Sequence, residues 1–288
     1  MFLIIYKILN IKIIYNLNSY NDFLKFLENK YLFFNSKIFI CIINLFLIIT
    51  FYIMIVALST LFNSQFNMPK SVVTLITLIL CFKVFYKDDL KFIQVFSSLL
   101  IPILIFFILF LCFDSINFHQ IHLSFSYNNF ISAFFYGLLY FSYNSLLIIP
   151  ILFKMNTKSK KSNFILSLLF SSIVLFLTLL INLLLLTFFS YVQDIELPIL
   201  FICNFKNNIY TFFYFFIILS AILTTLFSSG YSFMINIKKE NKKIILIIFL
   251  LFSFIFNYFS FSNLIDTFYP VFGLLGLFQI FLILSNKY

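Results

Sequence analysis

Eight apolar runs, approximately 38–62, 71–86, 92–113, 131–153, 164–190, 209–233, 244–262 and 264–285, constrain this chain more than any other feature, and each is separated from the next by a short polar connection. A run of about 20 apolar residues coiled as an α-helix crosses the roughly 30 Å hydrocarbon core of a bilayer. Within that core an open sheet edge or an irregular loop would leave backbone groups without partners, so a chain built this way folds as helices. The expected fold class is all-α, a polytopic transmembrane helical bundle of about eight spans. Composition agrees: 63% of residues are hydrophobic and 10% charged, and the mean hydropathy is +1.11, well above the range of soluble domains. In 288 residues the eight spans leave no room for a sizeable domain outside the membrane. The expected organisation is an N-terminal segment, 1–37, followed by a transmembrane domain, 38–288, with function residing in the membrane or on its loops.

The positive charge is entirely lysine, and its distribution sets an orientation. Five lysines (Lys7, Lys12, Lys25, Lys30 and Lys37) precede the first run, and Lys70 alone follows it. Lys83, Lys87 and Lys91 flank the next connection, 114–130 has none, and 154–163 has Lys154, Lys158, Lys160 and Lys161. Lys206 stands alone in 191–208, Lys238, Lys239, Lys242 and Lys243 follow in 235–243, and Lys287 lies at the C-terminus. Because cytoplasmic loops retain lysine, the alternation places both ends in the cytoplasm, and an even number of crossings requires the same. The net charge of +10 is thus that of a multi-pass membrane protein whose loops fix its orientation. Its partner is the lipid bilayer; nucleic acid is not implied, and oligomeric state is left open. The abundance of Phe and Tyr, with no Trp and no Arg, is read as the codon usage of an AT-rich genome.

Residues 1–16 are apolar but interrupted by Lys7 and Lys12, too short to cross and unlike a signal peptide, whose basic residues would come first. They read either as an interfacial helix or as the end of a helix whose beginning is missing. The external segment 114–130 contains His119 and His122 near Asp114, too few ligands for a metal site; solvated loop residues are the plainer reading. Segment 191–208 carries an apolar stretch after Pro198 that suits a small helix on the outer face. Of the four cysteines, Cys41, Cys81, Cys112 and Cys203, only Cys112 and Cys203 could share the outer face and form a disulfide.

Ionisable groups within the spans are nearly absent, which argues against a proton pump, a voltage sensor or an ion-translocating respiratory subunit. Lys83 lies close enough to its span's end to snorkel, and Asp266 lies at the mouth of the last span. No Ser/His/Asp set, Gly-rich phosphate loop, HExxH or paired carboxylate is found in the sequence, so enzyme chemistry has no support. The run ISAFFYGLLYFSYNSLLIIPILF stands out, with Gly137, Ser142, Asn144, Ser145 and Pro150 among Tyr136, Tyr140 and Tyr143. A helix of that composition can break at mid-depth and offer its freed backbone groups to an ion or a zwitterion. In the run SAILTTLFSSGYSF, Thr224, Thr225, Ser228 and Ser229 read either as Na⁺ ligands or as helix-packing residues.

The segments NSYNDFLKF (18–26), FYIMIVALSTLFNSQFNMP (51–69), LLYFSYNSL (138–146), SSGYSFMINI (228–237) and LIDTFYPVFGLLGL (264–277), taken in order and spacing, resemble the YkvI family of bacterial membrane proteins. That family belongs to the amino acid, polyamine and organocation transporter superfamily, with the five-plus-five inverted-repeat, LeuT-like fold. The resemblance implies that the eight runs are helices three to ten of ten, that residues 1–16 are the end of helix two, and that helix one with its Gly-rich motif has no counterpart. It implies a transporter-like protein for an amino acid or related small solute, shortened at its N-terminus. Solute contacts would come from Gly137, Tyr140, Ser142, Tyr143 and Asn144 on a broken sixth helix, with helices three and eight as walls and Ser228 and Ser229 as ion ligands. No cofactor is implied, and coupling to Na⁺ or H⁺ is left open. The alternative class is a non-transporting membrane receptor or assembly subunit, since germinant-sensing spore proteins share the superfamily's architecture.

Overall fold

A computed structural model describes residues 1–17, 19–31, 34–87, 90–116, 127–154, 159–192, 195, 197–235 and 242–286. Among them are twelve helices and no strand: α1 (Phe2–Ile14), α2 (Tyr20–Lys30), α3 (Ser36–Phe66), α4 (Lys70–Lys87), α5 (Leu90–Ser115), α6 (Tyr127–Lys154), α7 (Lys160–Thr187), α8 (Phe189–Val192), α9 (Pro198–Lys206), α10 (Asn208–Ile235), α11 (Lys242–Phe256) and α12 (Phe261–Ser285). The protein is a multi-pass, all-α membrane protein. Among the described residues α3, α6, α7, α10 and α12 are long and apolar enough to cross a bilayer, and α4, α5 and α11 carry the other three expected runs.

Two boundaries depart from the sequence reading. The run expected to be helical to residue 262 ends at Phe256, so α11 has 15 residues and is about 22 Å long, short of a full crossing. The cause is Asn257, whose side-chain amide donates to Thr74 Oγ1 at 2.7 Å on α4 and holds the chain in a turn. The Ser260 hydroxyl then accepts from the Asn263 N–H at 3.2 Å and caps the start of α12. The second departure is α6, expected to be broken and found as one continuous 28-residue helix with Pro150 inside it. Its polar side chains bond within their own helix: the Ser142 hydroxyl reaches Leu139 O, the Ser145 hydroxyl Ser142 O and the Asn144 amide Tyr140 O, at 2.6 to 2.8 Å. Such local bonds satisfy the polar groups without unwinding the helix.

The chain forms two compact units, each assembled from separate stretches. Unit 1 comprises Met1–Ile43, Leu123–Thr178 and Asp266–Tyr288; unit 2 comprises Asn44–His122 and Leu179–Ile265. Unit 2 is held by an aromatic core in which Phe51, Tyr52, Phe85, Phe227 and Phe249 pack with Leu78, Cys81 and Leu250. Phe51 and Phe249 lie 4.6 Å apart, centroid to centroid, and the Tyr52 hydroxyl donates to Phe249 O at 3.0 Å. Gly230 on α10 admits this mesh, since a Cβ there would overlap the rings of Phe85 and Phe51. Helix α9 starts at Pro198, as the apolar stretch after that proline suggests, and buries Leu200, Ile202 and Cys203. Its last residue, Lys206, pairs with Asp114 at 3.3 Å.

In unit 1, α1 is packed into the protein. Ile4, Ile5, Ile8, Leu9 and Ile11 are buried, and α1 packs along α6. The Lys7 ammonium donates to Leu284 O at 2.5 Å and Asn286 O at 3.0 Å at the end of α12. Lys12 donates to Phe153 O at 2.6 Å at the end of α6. Both lysines therefore meet the carbonyls that a helix C-terminus leaves without intrahelical donors, at the negative end of its dipole. Residues five apart on one short helix reach both ends, so α6 and α12 terminate on the same side of unit 1. Helix α2, opened by a Ser19–Asp22 capping box, adds Phe23, 4.9 Å from Phe153. The N-terminal segment thus belongs to the same compact unit as α6 and the end of α12.

Two outcomes follow for thermal unfolding of the purified protein in detergent. Gly230→Ala lowers stability by about 1–3 kcal/mol through overpacking. Lys7→Met lowers it by up to about 2 kcal/mol, whereas Lys7→Arg avoids most of that loss by keeping a charge at the α12 terminus.

Candidate functional site

Helix α6 positions the residues singled out in the sequence, and its 3.6-residue period divides them. Leu139, Ser142, Tyr143, Leu146, Ile149 and Phe153 form the buried face. Gly137 and Tyr140 point outward, Tyr140 being 62% exposed, and Asn144 is half-buried between the two faces. The five residues therefore do not share one face of the helix. Ser142 and Tyr143 serve a seam with α12, and Tyr140 and Asn144 line a groove with α7.

The seam is a backbone contact. At Gly276 a Cβ would overlap the Ser142 carbonyl, and at Gly273 it would press on the side chain and carbonyl of Leu139. The Ser142 hydroxyl, fully buried, also reaches the Gly273 carbonyl at 2.6 Å, tying the two helices where they are closest. One turn away the Tyr143 ring meets Tyr269 of α12 at 4.3 Å and Tyr140 at 5.3 Å, centroid to centroid. This tyrosine cluster, partly open through Tyr140, is the polar-tipped aromatic feature on which a small solute could be held. Tyr269, Gly273 and Gly276 are the residues that sequence reasoning passed over. The available signal was scarcity: the chain has four glycines, and two of them stand three apart in an apolar run.

The groove between α6 and α7 has a volume of about 810 Å³ and is walled by Phe141, Asn144 and Ile148 on α6 and by Phe164, Leu168 and Leu175 on α7. At the helix ends nearby, the Asn163 amide donates to the buried Asn10 at 2.9 Å, and the Gln279 amide donates to the Tyr20 hydroxyl at 2.7 Å. Burial raises the Tyr20 hydroxyl above its ordinary range, partly offset by the Gln279 bond.

The hydroxyls considered as ion ligands lie in unit 2 and are engaged in their own helix. Ser228 donates to Thr225 O at 3.0 Å, and Ser229 donates to Thr225 O at 2.8 Å and Leu226 O at 3.1 Å. Ser229 is buried and Ser228 exposed. Their lone pairs could still accept a cation, but the pattern is that of residues packing a helix. Cys112 and Cys203 are both buried free thiols, and burial pushes the Cys203 thiol up to about 12. Among the described residues no three His, Cys, Asp or Glu side chains gather as a metal site. His119 and His122 lie outside the described residues.

The two glycine environments separate packing from solute contact. Gly276→Ala is expected to lower stability by more than about 3 kcal/mol, because the clash is with backbone that cannot turn aside. Gly137, with nothing within 4 Å of a built Cβ, accepts Ala with unchanged or slightly raised stability. Chemical denaturation of both variants in the same detergent gives the comparison. No protein-family model, no curated protein and no solved structure matches this chain.

Proposed function

We propose that this chain is a transporter-like membrane protein that binds an amino acid or related small solute, with the ten-helix inverted-repeat architecture of the YkvI family as its template. The observation that carries the reading is the interleaving of the two units. In a five-plus-five repeat each helix has a counterpart five positions on. With α1 taken as the end of helix two and α3 as helix three, α4, α5, α6, α7, α10, α11 and α12 follow as helices four to ten. On that correspondence unit 2 gathers most of the third and eighth helices, α3 and α10, and the fourth and ninth, α4 and α11. Unit 1 gathers the second and most of the seventh, α1 and α7. Each unit draws on both halves of the chain, as bundles that move in alternating access do, while the fifth and most of the tenth helix, α5 and α12, fall in different units.

Within this proposal the solute meets the tyrosine cluster of unit 1. Tyr143 and Tyr269 offer aromatic faces and hydroxyls, and Tyr140 gives access to them. Ser142, already bonded to Gly273, holds α12 in place and does not itself face the solute. The continuous α6 departs from the template's broken helix, so recognition relies on side chains more than on freed backbone groups.

The test is thermal unfolding of the whole chain in nanodiscs, with a panel of amino acids in NaCl and in KCl. At a hundredfold excess over its dissociation constant a true ligand stabilises the protein by about 2.7 kcal/mol, a rise of several degrees. Tyr143→Ala should abolish that rise and Tyr143→Phe should keep part of it. A panel with no stabilisation in either salt removes the transporter reading and leaves a receptor or assembly subunit.

A further inference from the structure

The α6–α7 groove lies within unit 1, between two helices that are each long and apolar enough to cross a bilayer. Its chemistry is unlike that of a site for a charged solute. Among the described residues no charged side chain lines it, and the Met1 amino terminus is its one charged group. Most of its polar side chains donate within their own helices. The Asn144 amide donates to Tyr140 O at 2.7 Å, and the Ser171 hydroxyl lies 2.7 Å from Ser167 O and 3.1 Å from Leu168 O. Ser172 donates to Leu169 O at 2.9 Å, and Thr178 lies 2.9 Å from both Val174 O and Leu175 O. An ammonium placed there would lose its water and gain no counter-charge, and a carboxylate would meet only the Met1 amino group. What remains is an apolar channel with aromatic walls, open toward the surface of the bundle.

Its dimensions and its end suggest the occupant. Along α7 the lining runs from Phe164 to Thr178, a helical rise of about 21 Å, against about 15 Å for half of a roughly 30 Å hydrocarbon core. The groove therefore covers the depth of one leaflet. Phe164 stands one turn from Lys160 and Lys161, both exposed at the start of α7, where an anionic headgroup would find opposite charge. The rest of α7 is already built to meet hydrocarbon: 6% of its apolar window is buried within the protein.

We propose that this groove is a lipid site, holding one acyl chain of an anionic bilayer phospholipid whose phosphate is met by Lys160 and Lys161. The inference does not rest on the transporter reading: the groove runs along α7 to Lys160 and Lys161, whereas the tyrosine cluster is built on α6 and α12, and Tyr140 is common to both.

The chain contains no tryptophan, so Leu175→Trp places a sole tryptophan reporter in the groove, and Phe176→Trp places one on the adjoining lipid face of α7. The experiment compares fluorescence quenching in nanodiscs by phosphatidylglycerol brominated on its acyl chains with quenching by phosphatidylcholine brominated likewise, at equal mole fraction. The groove reporter should favour the brominated phosphatidylglycerol by about fivefold in apparent affinity for each contributing lysine, while the control reporter is quenched equally by both. Adding Lys160→Gln and Lys161→Gln should erase the preference. Equal quenching of the groove reporter by both lipids overturns the proposal, as does a groove reporter that neither lipid quenches, the signature of a protein segment filling the space. As a check that does not depend on tryptophan, native mass spectrometry of the unmodified chain should retain phosphatidylglycerol through detergent exchange. Ser171→Phe, which fills the groove, should lose it; retention by that variant also overturns the proposal.

Discussion

Unit 1 depends on a contact between two helix backbones. Glycines three apart on α12 remove the side chains that would keep α6 at ordinary distance, and the Ser142 hydroxyl closes the gap by bonding to the Gly273 carbonyl. In hydrocarbon there is no water to expel, so helices gain little by merely touching; close van der Waals fit and an interhelical hydrogen bond have to supply the attraction. Once that crossing is set, the rotation of α6 about its axis is set with it. Tyr143 turns toward Tyr269, and Tyr140 and Asn144 turn toward α7. The two faces of one helix thus acquire different chemistry from a single packing event.

Lysines in unit 1 also close helix ends. Lys7 and Lys12 meet the terminal carbonyls of α12 and α6, and Lys30 and Tyr31 add bonds to Asn286, Ser285 and Leu282 at the same terminus. Charge that favours the cytoplasmic side of a membrane is thereby also placed against the negative ends of helix dipoles. This explains how a 13-residue apolar helix carrying two ammonium groups can be buried along α6. Both charges lie at the level of the helix ends, and the isoleucines between them fill the interior.

Unit 2 solves the packing problem differently. Its core is a set of interleaved phenylalanines and tyrosines from α3, α4, α10 and α11, joined by the Tyr52 bond to Phe249 O. Edge-to-face and tilted ring contacts supply specificity in a composition otherwise short of polar interhelical groups. A bias that reads from the sequence as genomic background is put to structural use, and Gly230 provides the space that so many rings require.

The sequence alone determined that this is a helical membrane protein, roughly where its helices lie, and that the ends of α6 and α12 share a side. Hydropathy and lysine placement are local properties, and the bilayer imposes one secondary structure on every apolar run. It also singled out α6 as the helix of interest. Tertiary structure decided how that helix is used. Ser, Asn and Pro in an apolar run are compatible with a broken helix or a continuous one, and the outcome turned on whether their hydrogen bonds stay local. Which of Gly137, Tyr140, Ser142, Tyr143 and Asn144 share a surface depends on the rotation of α6, and that is fixed by two glycines more than 120 residues away in the chain. Likewise, nothing in a linear pattern states that α1 is buried or that the chain interleaves into two units. Those outcomes come from contacts between distant segments, which periodicity and charge within a single segment cannot encode.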